Sequence, residues 1–83
     1  MAEHPNTFHL VIASVGETRF DGAALSATVP GSAGEFTVLP NHEPLVTTLR
    51  PGSITVKTTL GVKAFPVESG VVELSGSRAV ILL

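Results

Sequence analysis

The sequence predicts an all-β domain of about eight to ten short strands, arranged as a sandwich or flattened barrel, and three observations predict it. Valine and threonine are abundant, Gly and Pro punctuate the chain every few positions, and no stretch of helical length carries apolar residues at three-four spacing.

Residues 8–14, FHLVIAS, begin the series: the two-residue period of a strand puts Phe8, Leu10 and Ile12 on one face as the first core candidates. Residues 19–22 read as a short second strand. In a third, residues 24–29, Leu25, Ala27 and Val29 alternate with Ser26 and Thr28 until Pro30-Gly31 stops it. Residues 35–39 form a fourth and 46–49 a short fifth. Pro51-Gly52 turns the chain into residues 53–58, where Ile54 and Val56 share a face. Thr59-Leu60-Gly61 is a hairpin connection back through residues 62–67, and Pro66, which lacks a ladder donor, places that run at a sheet edge or a bulge. Ser69-Gly70 breaks it. Residues 71–74 and 78–83 make a final hairpin around Ser75-Gly76-Ser77, and the run Val80-Ile81-Leu82-Leu83 predicts a last strand buried on both faces. No repeat, low-complexity segment or linker divides the chain, so residues 1–83 form one domain.

A chain of 83 residues buries only about 60 to 65% of the surface its unfolded form exposes. Without cysteine it has no disulfide or thiolate metal site to reinforce that core. Charged residues make up 14% and hydrophobic ones 43%, with a formal net charge of -2, which excludes a basic nucleic-acid face. Arg19, Arg50, Lys57, Lys63 and Arg78 are scattered rather than clustered. So low a charge fraction on a small globule leaves neutral or apolar surface outward and fits a subunit covered by neighbours. No apolar run approaches the roughly 20 residues of a membrane helix, and the start Met1-Ala2-Glu3-His4-Pro5-Asn6 lacks the basic flank and apolar stretch of a signal peptide; the chain reads as soluble and unexported. Neither Asn6 nor Asn41 begins a glycosylation acceptor.

Catalytic constellations are missing. Pro30-Gly31-Ser32-Ala33-Gly34 has neither the lysine and hydroxyl of a nucleotide loop nor a helical pattern after it, and reads as a tight connection. His42 and Glu43, with Glu35 nearby, are a candidate acid-base or metal group, yet adjacent residues of an extended segment face opposite ways and a divalent metal needs three or four converging ligands. The plainer reading of His42 is a ring packed beside Pro40 and Pro44 and bonded to backbone. His4 and His9 have no acidic residue at a telling spacing, and there is no Gly-x-Ser-x-Gly. Phe8, Phe20, Phe36 and Phe65 lack the basic groove of a single-strand platform and read as core. No enzyme and no cofactor are expected.

The stretch Val29-Pro30-Gly31-x-x-Gly34-Glu35-x-x-Val38-Leu39-Pro40-x-His42-x-Pro44-Leu45 closely resembles the epsilon subunit of rotary F-type ATP synthases, a family that typically shows V-P-G-x-x-G-E-x-G-I-L-P-x-H-A-P-L. Phe8-His9-Leu10, Phe20-Asp21-Gly22, Leu49-Arg50-Pro51-Gly52-x-Ile54 and Val67-x-Ser69-Gly70 extend the resemblance over nearly the whole chain. Thr37 stands where the family has glycine, Val71 stands where a second glycine follows Ser69-Gly70, and the segment to Leu74 is one residue short. The family continues into a two-helix C-terminal domain without counterpart in these residues, which leaves autoinhibition and ATP sensing by those helices outside this chain's expected repertoire.

The resemblance implies a flattened two-sheet β-sandwich of about ten strands, clamped beside the gamma subunit and resting on the c-ring. Such a subunit catalyses nothing; it turns with the rotor and lies peripherally on the cytoplasmic face of a bacterial inner membrane, or on the stromal face of a thylakoid. Carried over by position, Ser32, Ala33, Gly34 and Glu35 face the c-ring, and Ser14, His42 and Thr47 face gamma. Two other readings stand beside it: a free-standing β-sandwich adaptor or ligand-binding module, and a hydrolase using His42 and Glu43.

Overall fold

The computed structural model describes residues 6–83; residues 1–5, His4 among them, lie outside it. Every element is a strand: β1 (Phe8–Ser14), β2 (Glu17–Ala24), β3 (Ser26–Gly31), β4 (Gly34–Val38), β5 (His42–Leu49), β6 (Gly52–Thr58), β7 (Gly61–Val67), β8 (Gly70–Gly76) and β9 (Arg78–Leu82). That is nine among the described residues, against about ten expected.

The ladder runs β2-β1-β9-β8-β5-β3-β6-β7, with β4 on the other edge of β3. All its pairings are antiparallel except β1 with β9. The β5–β3 step rests on one residue pair, Gly31 with Leu49, and there the ladder creases. On one side lies the β1 layer, β2-β1-β9-β8-β5; on the other lies the β3 layer, β4-β3-β6-β7. The layers also meet where the ring of Phe20 on β2 contacts that of Phe65 on β7, edge to face, with centroids 6.1 Å apart and planes at 73°.

Between the layers lies the core, and period two decides which residues enter it. Phe8, Leu10 and Ile12 are buried as expected, as are Ala27, Val29, Ile54 and Val56, and β8 and β9 add Val72, Leu74, Ala79 and Ile81. Each large aliphatic side chain withdrawn from water contributes about 1.5 to 3 kcal/mol, the main favourable term in a domain without disulfides.

Some boundaries differ from expectation. β2 begins at Glu17 and β5 at His42, earlier than read, because their exposed polar side chains hide the strand in the sequence while the β1 and β8 ladders still pair their backbones. Leu25 does not alternate with Ala27 and Val29 into the core. It sits half-buried in the bend between β2 and β3, its N–H bonded to the Lys57 carbonyl at 2.7 Å. The last strand is buried on one face only: Ile81 is sealed but Leu82 is 55% exposed. Pro66 lies on the edge strand β7, where a missing donor costs the ladder nothing.

Candidate functional site

The β3–β4 hairpin carries Ser32, Ala33, Gly34 and Glu35, and its local chemistry explains the glycines. Ser32-Ala33 forms the turn, and Gly34 closes it at φ 140°, a conformation side chains resist. At Gly31 the requirement is space: a Cβ would stand 2.7 Å from the Gly34 carbonyl and 2.8 Å from the Phe36 ring. The hairpin is braced from β5, since the Ser32 N–H donates to the Thr48 carbonyl at 2.9 Å and the two hydroxyls bond at 2.8 Å. Arg50 N–H donates to the Pro30 carbonyl at 2.9 Å. Ser32, Ala33 and Glu35 remain exposed on this fixed support.

Ser14, His42 and Thr47 all belong to the β1 layer but not to one cluster. Ser14 ends β1, and its Oγ accepts from Arg19 Nε at 3.4 Å. Leu83 N–H bonds to the Ala13 carbonyl at 2.8 Å, and Gly70 packs against Leu83 and Leu49. Leu49 pairs with Gly31. This chain of contacts puts Ser14 at the same end of the sandwich as the Ser32 turn. His42 opens β5 opposite Gly76, at the other end, roughly 20 Å away at about 3.3 Å per residue. There its Nε2 accepts the Leu39 N–H, the expected backbone bond, which closes a loop whose Asn41 stands at φ 64°. Thr47 pairs with the buried Val72 and is half-buried on the core side of β5.

His42 and Glu43 do not converge with Glu35, which lies on β4 in the other layer. The acidic partner of His9 was not legible: Asp21 Oδ1 lies 2.5 Å from His9 Nε2. Twelve residues separate them, and only the β1–β2 register, with Val11 opposite Asp21 and His9 opposite Ala23, brings them diagonally together. An alternation of His and Asp on outward positions of a hairpin is the signal that could have found the pair. It borders an open cleft of about 490 Å³ lined by Thr7, Phe8, Gly22, Ala23 and Ser77. No group of three potential metal ligands forms among the described residues. What the surface offers is a braced turn with an exposed carboxylate at one end, a histidine-closed loop at the other, and a ladder joining them.

The chain is similar to proteins of known family. The "ATP synthase epsilon chain" of Polaromonas naphthalenivorans is 35% identical over 78 residues, which are 93% of this chain and 56% of that one. Its counterpart in Delftia acidovorans is 33% identical over 78 residues, again 93% and 56%. The chain therefore spans little more than half the length of these relatives. Among solved structures, a chain of the Euglena gracilis mitochondrial ATP synthase, in its OSCP/F1/c-ring assembly, superposes with a TM-score of 0.86 at 21% identity, over 98% of this chain and 52% of that one. A chain of the Tetrahymena thermophila mitochondrial ATP synthase central stalk and c-ring gives 0.76 at 17% identity, over 90% and 61%. At those identities the superpositions show the fold. Residues 7–83 match the beta-sandwich domain of the ATP synthase delta/epsilon chain, and the chain belongs to that family.

Proposed function

We propose that this chain is a non-catalytic rotor component of a proton-translocating ATP synthase, docking the gamma subunit to the c-ring so that proton-driven rotation reaches the catalytic head. The supporting observation is the braced β3–β4 hairpin: Ser32 is tied to Thr48 through both backbone and hydroxyl, while Glu35 stays exposed. A connection already ordered before docking loses little conformational entropy on docking, and a stiff one transmits torque without yielding. In this reading the Ser32–Ala33–Gly34–Glu35 turn meets polar loops of the ring, and Ser14, His42 and Thr47 contact gamma. No helix among the described residues is long and apolar enough to cross a membrane, in keeping with a peripheral position held through the complex, on the cytoplasmic face of a bacterial inner membrane.

Reconstitution tests it. ATP synthase depleted of epsilon subunit, embedded in vesicles with an imposed proton gradient, should regain ATP synthesis when the chain is added, and the chain should sediment with gamma and c-ring. Failure to bind either component, or binding without recovery of synthesis, would discard the reading.

A further inference from the structure

Three inward positions of the sandwich carry no core residue. Gly22 on β2 stands opposite the buried Leu10, and Lys63 on β7 stands opposite the buried Val56. Directly opposed residues share a face, so both point between the layers. Thr58, two residues past Val56, shares that face too. Glycine leaves a gap there, and lysine puts a charge where a core side chain would stand. The result is a cleft of about 280 Å³, lined by Phe20, Gly22 and Ala23 of β2 and by Thr59, Leu60 and Lys63 around the β6–β7 turn. Along β2 it begins beside the Phe20–Phe65 contact and ends near the bend, where the Leu25 N–H donates to the Lys57 carbonyl.

The walls of the cleft differ in chemistry. Phe20 supplies an aromatic surface and Leu60, 97% exposed, an aliphatic lip. That lip is held by its turn: Thr58 Oγ1 accepts the Leu60 N–H at 3.0 Å and donates to the Gly61 carbonyl at 3.2 Å. Lys63 Nζ stands 5.9 Å from the centroid of the Phe20 ring, and no carboxylate pairs with it among the described residues. Asp21 lies on the outward side of β2, opposite Val11, and is taken by His9. Apolar walls with one unpaired positive donor complement a carboxylate carried on an apolar body. At about 280 Å³ the space falls just below the roughly 300 to 1,000 Å³ of drug-sized sites, which limits the occupant to a single ring or a short chain.

We infer that this cleft binds a small organic carboxylate, its carboxyl group on Lys63 and its apolar body between Phe20 and Leu60. The inference goes beyond the rotor reading and does not depend on it. β6 starts beside Pro30, near the Ser32 turn, and runs away from it to Thr58, so the cleft lies at the far end from that turn. A bound carboxylate touches β2 of one layer and β7 of the other, and so couples occupancy to the stability of the sandwich.

The test titrates the chain with phenylacetate and with hexanoate, followed by amide NMR, with phenylacetamide as the uncharged counterpart. Saturable shifts are expected at Gly22, Ala23, Leu60 and Lys63, with a rise in melting temperature, and phenylacetamide should bind at least tenfold more weakly than phenylacetate. Lys63→Met keeps the stem and should erase that preference. Gly22→Val fills the gap; its Cβ meets nothing closer than the Phe20 ring at 3.9 Å, so the variant should fold with an unchanged melting temperature and lose the shifts. If neither carboxylate moves these amides up to its solubility limit, or if Lys63→Met binds phenylacetate as wild type does, the assignment is wrong. Self-association of Lys63→Met in sedimentation, with carboxylate binding unchanged, would overturn it in favour of an inward lysine that guards the β7 edge.

Discussion

Ser32 and Thr48 share a hydroxyl hydrogen bond of 2.8 Å beside a backbone bond of 2.9 Å, so the tip of one layer is fastened to a strand of the other. Thr48→Val keeps the shape and the backbone bond but removes the hydroxyl. The cost expected is about 0.5 to 1.5 kcal/mol, a melting-temperature drop of roughly 3 to 10 °C at this size. Differential scanning calorimetry of the variant beside Ser32→Ala checks it, and the double variant should cost less than the sum of the singles.

The loop from Leu39 to His42 is closed by one side-chain acceptor, Nε2 of His42. Removing it by His42→Ala exposes a backbone donor that water satisfies, since Leu39 is already 53% exposed. Stability should fall by no more than about 1.5 kcal/mol, and hydrogen exchange at the Leu39 amide should accelerate well beyond that of the β5 amides. Unchanged exchange at Leu39 would mean that the ring does not hold the loop.

Two glycines are required for different reasons, which one substitution separates. Gly16 stands at φ 76° with nothing within 4 Å of its missing Cβ, whereas Gly31 is crowded by the Gly34 carbonyl and Phe36. Asparagine tolerates the left-handed region, so Gly16→Asn should unfold in urea close to wild type. Gly31→Asn should lose about 1 to 3 kcal/mol, as overpacked positions do.

Neighbouring residues of β9 should respond oppositely to truncation. Ile81→Ala empties a fully buried site and should cost about 2 to 5 kcal/mol, a large share of the roughly 5 to 15 kcal/mol that holds a domain together. Leu82→Ala, on the outer face, should cost the free chain under about 1 kcal/mol. Chemical denaturation of both, without any partner, checks the pair.

Much of this was legible because burial and period agree. Phe8, Leu10 and Ile12 are the larger apolar residues of β1, alternating with His9, Val11 and Ala13, and the two-residue period assigned them. Val80-Ile81-Leu82-Leu83 misled for a physical reason: a run that is apolar at every position has no polar face to mark the side its own core leaves open. The starts of β2 and β5 were hidden because Glu17, Glu43 and Pro44 carry no strand signature, and a cross-strand ladder supplies what propensity does not. The Ser32–Glu35 turn was legible through its glycines, while its brace to Thr48, 16 residues away, required the fold. His9 and Asp21 show the same limit.

The parallel pairing of β1 with β9, from His9 opposite Arg78 to Ala13 opposite Leu82, dictates when this domain can exist during synthesis. The first strand of the domain finds its central neighbour only in β9, at the far end of the domain, and closing so long a segment costs roughly 4 kcal/mol of chain entropy before the pairing stabilises anything. Until Ile81 has cleared the ribosome, Leu10 and Ile12 have no complete core to enter. Folding of the domain is therefore slow for its length.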